Sequence, residues 1–157
     1  MKSIYLANIF ANLLFWNLTF SIAQTTDYTW DEYGLKFSVP VGFEETANDE
    51  THFEGKCEKS KIILFGLYPI KSNQITKSNL KDAFNSMTKE ANMTVDEIQN
   101  ISFNGFEGIY AEGKINNVEA FFACMLDPMG DLNFIVSVLH DNVDAAVKIV
   151  KSIKKVR

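Results

Sequence analysis

Along the chain, Leu35, Phe37 and Val39 alternate with Lys36 and Ser38, and Pro40 follows. A period of two predicts a strand with one buried face, and the proline, which lacks an N–H, predicts that it lies near a sheet edge. Ile62 to Tyr68 (Ile-Ile-Leu-Phe-Gly-Leu-Tyr) and Ala120 to Leu126 (Ala-Phe-Phe-Ala-Cys-Met-Leu) are apolar at both parities, the pattern of strands covered on both faces. Between Ile101/Phe103 and Phe106/Ile109 stands Asn104-Gly105, a pair that tolerates positive φ and signals a tight hairpin. Asn116-Asn117 and Pro128-Met129-Gly130 mark two further turns. Three successive hairpins from about Ile98 to Leu139 predict an antiparallel meander, and the lack of helices between them excludes a doubly wound parallel sheet.

Two helices flank this meander. Ser78 is the expected N-cap of the first, whose Leu80, Ala83, Phe84, Met87 and Ala91 form one stripe of a 3.6-residue period. Asp141 is the expected cap of the second, with Val143, Ala146, Val147, Val150 and Ile153 on the buried stripe. Lys148, Lys151, Lys154, Lys155 and Arg157 gather toward its end, where the macrodipole favours cations. A helix for each apolar face of the sheet predicts an α+β fold: an antiparallel meander flanked by two helices, an α/β/α sandwich.

The run Tyr33-Gly34-Leu35-Lys36-Phe37-Ser38-Val39-Pro40-Val41-Gly42-Phe43 resembles the opening of PsbP-like domains, in which a glycine, an alternating strand, a proline and a Gly-aromatic pair follow a short first strand. The amphipathic helix, the Gly105-x-x-Gly108 hairpin, the meander and the closing helix follow the same plan, so the resemblance spans Tyr28 to Val156. That superfamily includes photosystem II extrinsic subunits, a Ran GTPase-release factor and exported bacterial proteins. The resemblance implies a non-enzymatic binding or accessory role and carries over no partner residue.

Met1 to Ala23 has a basic start at Lys2, an apolar stretch from Ile4 to Phe15, and small residues Ser21 and Ala23 before Gln24. This is the three-part pattern of a cleaved secretory signal (1–23), predicting a single domain over 24–157, a first strand near Tyr28 to Glu32, and a periplasmic or extracellular location. The alternative is a retained anchor, since Ser3 to Thr26 carries no charge; Asn8, Asn12 and Asn17 interrupt that run.

Composition narrows the function classes. The 157 residues are 46% apolar and 22% charged, as expected of one globular domain, and no membrane span is expected after the signal. Without Lys2, the chain from Gln24 carries 14 basic and 20 acidic side chains, net −6. That balance argues against nucleic acid, whose binding rests on phosphate neutralisation. A monomer that binds a protein or a small apolar ligand is the expectation, with no cofactor and no metal.

Cys57 and Cys124 are the only cysteines, and in an oxidising compartment they are candidates for a disulfide, the alternative being two unpaired thiols. Asp27 to Glu58 has a segment charge of −7, centred on Glu44, Glu45, Asp49 and Glu50, which reads either as a surface for a cation or cationic partner or as a solvated face. Trp30, in a short strand beside Asp31 and Tyr33, is a candidate exposed partner-binding aromatic. Phe84, Met87, Phe121 and Met125 are candidates to line an apolar pocket between helix and sheet, the basis of an alternative reading as a carrier of small apolar molecules. An envelope enzyme is the remote alternative. With Asp127 facing Leu132 across the Pro128 turn, Cys124 faces Ile135, and His140 lies five residues on, about 17 Å at 3.3 Å per residue, too far for a thiol–imidazole pair.

Overall fold

The computed structural model describes residues 24–71, 74–130 and 132–156. The expected signal segment 1–23 lies outside the described residues. The elements in order are β1 (Thr25–Trp30), β2 (Leu35–Pro40), β3 (Glu44–Asn48), β4 (Phe53–Cys57), β5 (Ile62–Ile70), α1 (Leu80–Glu90), β6 (Met93–Phe103), β7 (Phe106–Ile115), β8 (Val118–Leu126), β9 (Asn133–His140), α2 (Val143–Ser152) and β10 (Lys154–Lys155). They build an antiparallel seven-stranded sheet, order β3-β4-β5-β9-β8-β7-β6, and a three-stranded one, order β1-β2-β10.

The meander forms as the turn chemistry dictates. Asn104 and Gly105 sit at φ 49° and 87°, Asn116 and Asn117 at 52° and 66°, the left-handed values a two-residue hairpin needs. Gly130 N–H closes the third turn on the Asp127 carbonyl at 2.9 Å. The register is the expected one: Cys124 lies opposite Ile135, and His140 opposite Glu119.

Each face of the large sheet has its own core. On one side Leu80 and Phe84 of α1 pack with Met93, Ile109, Ala111, Phe122, Cys124 and Leu126. On the other, Ala146, Ile149 and Val150 of α2 and the inner faces of β1 and β2 meet Phe53, Phe65, Phe121, Met125, Phe134 and Val136. Phe37 of β2 stands 4.8 Å from Phe53 and 5.2 Å from Phe65, ring centre to ring centre, in edge-on and tilted contacts. Full burial of rings of this size contributes on the order of 1.5–3 kcal/mol each.

Strand β2 is paired on both sides only at Leu35 and Lys36, which face β10 as well as β1; from Phe37 to Pro40 β1 is its one strand partner among the described residues. Several expectations are corrected. The first strand runs Thr25–Trp30, and Asp31–Tyr33 form a 3-10 turn instead of continuing it. Asn79, not Ser78, precedes α1; its amide joins Gln74 O and Thr76 N in the approach loop and does not cap the helix. Asn142, not Asp141, caps α2, accepting from Ala145 N–H at 3.2 Å. Val143 of the expected buried stripe is half exposed, Ile149 being buried instead. The basic C-terminal run leaves the helix at Ile153, where Lys154 and Lys155 turn extended and pair with β2.

Candidate functional site

Helix α1 packs over β6, β7 and β8 but covers only part of their face. The uncovered part forms a cleft of about 660 Å³ between the start of α1 and the last strand of the sheet. Leu80, Lys77 and Lys81 form one wall; Ile98 to Ser102 of β6, Glu107 to Ile109 of β7 and Leu126 of β8 form the other wall and the floor. Among the described residues β6 pairs only with β7, so its outer backbone edge has no strand partner.

The two outer strands of the sheet differ. Strand β3 is five residues long, is interrupted by a register shift between Glu45 and Ala47, and presents exposed Glu44 and Glu45. Short length, bulges and charge are the usual protections of an edge. Strand β6 is eleven residues long; its register shift and its acidic pair Asp96/Glu97 stand together at one end, and Ile98 to Phe103 is uncharged. The uncharged stretch borders the cleft.

Electrostatically the cleft is basic at its helix wall. Glu107 meets Lys77 Nζ at 2.5 Å, whereas Lys81 is exposed and has no ion-pair partner among the described residues. The lining contains neither histidine nor cysteine.

The residues singled out in the sequence are distributed differently. Cys57 and Cys124 are free and buried, Cys57 in the α2-side core and Cys124 in the α1-side core. The sheet stands between them and the disulfide does not form. Burial pushes the Cys124 thiol up to about 12, which removes it as a nucleophile. The expected apolar pocket is likewise split: Phe84 and Met87 belong to the α1-side core, Phe121 and Met125 to the opposite one. The ring that meets Phe84 is Phe122, at 5.7 Å.

Trp30 is 0% exposed, and its indole N–H donates to the Asp49 carbonyl at 2.7 Å. It is a core anchor, not a docking aromatic. Tyr33 O–H donates to the Glu50 carbonyl at 2.6 Å, so two aromatic donors fix the loop between β3 and β4. The Asp49 carboxylate accepts from Thr51 N–H and Oγ1–H and from His52 N–H; these bonds, the Thr51 hydroxyl foremost, hold its pKa below the usual value. Asp49 is thereby engaged in its own turn, Glu44 pairs with Lys56 at 3.5 Å, and among the described residues no group of three acidic, His or Cys side chains can hold a metal ion.

Sequence reasoning missed the cleft. The available signals were Lys77 and Lys81, four apart at the start of a helix, and the change from Asp96-Glu97 to an uncharged run.

No protein-family model matches the chain, and neither does any curated protein. Solved structures do. A crystal structure from Bacteroides thetaiotaomicron VPI-5482 aligns over 84% of this chain and 48% of its own, at 13% identity and TM-score 0.53. The Ran-binding protein Mog1p of Saccharomyces cerevisiae aligns over 85% of this chain and 96% of its own, at 9% identity and TM-score 0.56. This chain spans about half the length of the Bacteroides chain. The likeness is one of fold: the protein has an α+β architecture similar to that of Mog1p.

Proposed function

We propose that the protein is an exported, monomeric, non-catalytic binding domain whose α1-side cleft holds an extended, acidic segment of a partner protein. The observation that carries this reading is the cleft itself, which runs along an unpaired, uncharged stretch of β6 and has Lys77 and Lys81 on its helix wall. A chain laid there finds backbone donors and acceptors along the strand, the mode of recognition called β-augmentation, and its carboxylates find Lys81. The likeness to a Ran-binding protein supports a protein as the bound species. Export rests on the basic, apolar and small-residue pattern of Met1 to Ala23; among the described residues no helix is long and apolar enough to cross a membrane.

A photo-crosslinking residue at Asn100 tests this. It is expected to capture a discrete protein from the cell envelope, and Lys81→Glu is expected to weaken the capture, while the same probe at Lys59 captures nothing. Capture that is equal from both positions, or insensitive to Lys81→Glu, overturns the reading. Native mass spectrometry that finds an apolar small molecule in the cleft, and no protein, replaces it with the carrier. Export is tested separately by intact mass, with Gln24 expected as the first residue; a chain retaining Met1 replaces the secreted form with a tethered one.

A further inference from the structure

On the other face of the sheet, at the end of the strands near α2, the apolar side chains give way to a polar set. Phe134, Val136 and Val138 of β9 point into the α2-side core, and His140, two positions further, continues that row. On β8 the row of Met125, Ala123 and Phe121 continues to Glu119, directly opposite His140; on β7, Tyr110 is followed on the same face by Glu112. With Ala120, Asp141 and Val143 these residues line a cleft of about 430 Å³.

His140 is only 7% exposed, and its Nδ1 is shielded from solvent with no hydrogen-bond partner. A buried ring nitrogen is normally paired, and the ring that carries this unpaired one is part of the cleft wall. Burial, opposed by the negative charges of Glu119, Glu112 and Asp141, holds the His140 pKa below its ordinary 6.5, so the ring is neutral near pH 7 and has one accepting nitrogen. The opposite neighbour on β5 is Ile62, which carries no charge. Lys114 is held by Glu119 at 2.8 Å, and Lys61 stands beside Asp141, its carbonyl accepting from Asp141 N–H at 3.0 Å; among the described residues Glu112 and Asp141 have no ion-pair partner. The cleft thus offers acceptors and negative charge. A metal ion is not its complement, because among the described residues no group of three ligating side chains converges closely enough.

We propose that His140, Glu112, Glu119 and Asp141 form a receptor for an organic cation bearing a guanidinium or primary amine. Such a group donates several hydrogen bonds at once, to the imidazole and to the carboxylates, while its aliphatic stem lies against Val143. The chemistry is shared by the end of an arginine or lysine side chain of a protein and by a free small amine. This site is distinct from the α1-side cleft and stands on its own observations. Protonating His140 places a positive charge in the cleft, so occupancy falls as the pH drops.

The experiment is NMR titration of the domain with argininamide, following the His140 ring and the amides of Glu112 and Glu119. Saturable shifts are expected near pH 7 and are expected to weaken as the pH falls below 6.5 and His140 takes up its proton. Glu112→Gln is expected to weaken the midpoint about fivefold, the scale of one partly exposed charge pair. His140→Asn, checked for an unchanged fold by its spectrum, is expected to weaken it at least as much, and Lys81→Glu in the other cleft to leave it unaltered. The neutral analogue Nα-acetylcitrullinamide, which has neither a guanidinium nor a free amine, is expected to cause no shift. A blocked peptide with a central arginine forms the second arm: shifts with the peptide assign the site to a protein side chain, and shifts with argininamide alone assign it to a free amine. No saturable shift with either probe, equal shifts with the neutral analogue, or indifference to both Glu112→Gln and His140→Asn overturns the proposal.

Discussion

The side-chain amide of Asn104 donates to the carbonyl of Ile153 at 2.8 Å, joining the tip of the β6–β7 hairpin to the end of α2 across 49 positions of sequence. The same nitrogen reaches the Lys151 carbonyl at 2.9 Å. The last carbonyls of a helix lack partners within it, so Asn104 caps α2 from a distant turn. One residue thus does two things: it takes up the positive φ the hairpin needs and it anchors the helix.

Asn104→Gly separates these roles. Glycine keeps the φ of 49° without strain but removes the amide, so a loss of about 1–2 kcal/mol in urea unfolding is expected. Asn104→Asp is expected to cost more at neutral pH, because a carboxylate then faces two carbonyl oxygens. Equal stability of Asn104→Gly and the native chain disproves the cap.

His140 gives stability a measurable pH dependence. Its folded pKa lies below the ordinary 6.5 because burial disfavours the charged ring. The unfolded chain therefore takes up this proton first as the pH falls. Stability is complete above about 6.5, declines as the pH drops from there toward the folded value, and levels off for this group below it. His140→Asn is expected to flatten that part of the profile; the difference between the two profiles isolates His140 from the carboxylates.

Gly55 has no room for a side chain. A Cβ there would stand 2.2 Å from the Phe43 ring and 2.7 Å from the Glu44 carbonyl oxygen, the second being backbone of the paired strand. Gly55→Ala is expected to destabilise by about 1–3 kcal/mol, the range for overpacking a filled interior. Thermal melting reads this directly.

The two thiols report on the sheet between them. Cys57 and Cys124 are both 0% exposed, in separate cores. Identical melting temperatures are expected with and without reductant, together with thiol labelling only after denaturation. An intact mass lower by two hydrogen atoms under oxidising conditions would mean that the two thiols meet despite the sheet between them.

The meander was legible because its turns are written in residues that tolerate positive φ, and pairing then followed by counting: the register that set Cys124 against Ile135 needed no tertiary information. Which face each strand turns to which helix was not legible. Phe121 and Phe122 are adjacent and alike, yet one lies under α2 and the other under α1, and strand parity cannot say which. Trp30 escaped for a related reason. Its place in a short strand beside Asp31 and Tyr33 suggests exposure, but the partner that satisfies its indole is the carbonyl of Asp49, brought near only by the fold. The small sheet joins the first described strand to the last, β10, a two-residue segment with no pattern of its own.

The two helices are secured unequally. Helix α2 is tied by the Asn142 cap, by Asn104, and by Ser152 Oγ accepting from Ser38 N–H at 2.8 Å, over a core with twice as many buried side chains. Helix α1 buries Leu80, Phe84 and Thr88 and has no capping side chain at its start. In amide hydrogen exchange, α1 is therefore the first helix to open, as a unit and without disturbing the layer beneath α2. Because α1 is also one wall of the larger cleft, whatever settles there meets a wall that yields, and its grip is felt as slowed exchange along α1.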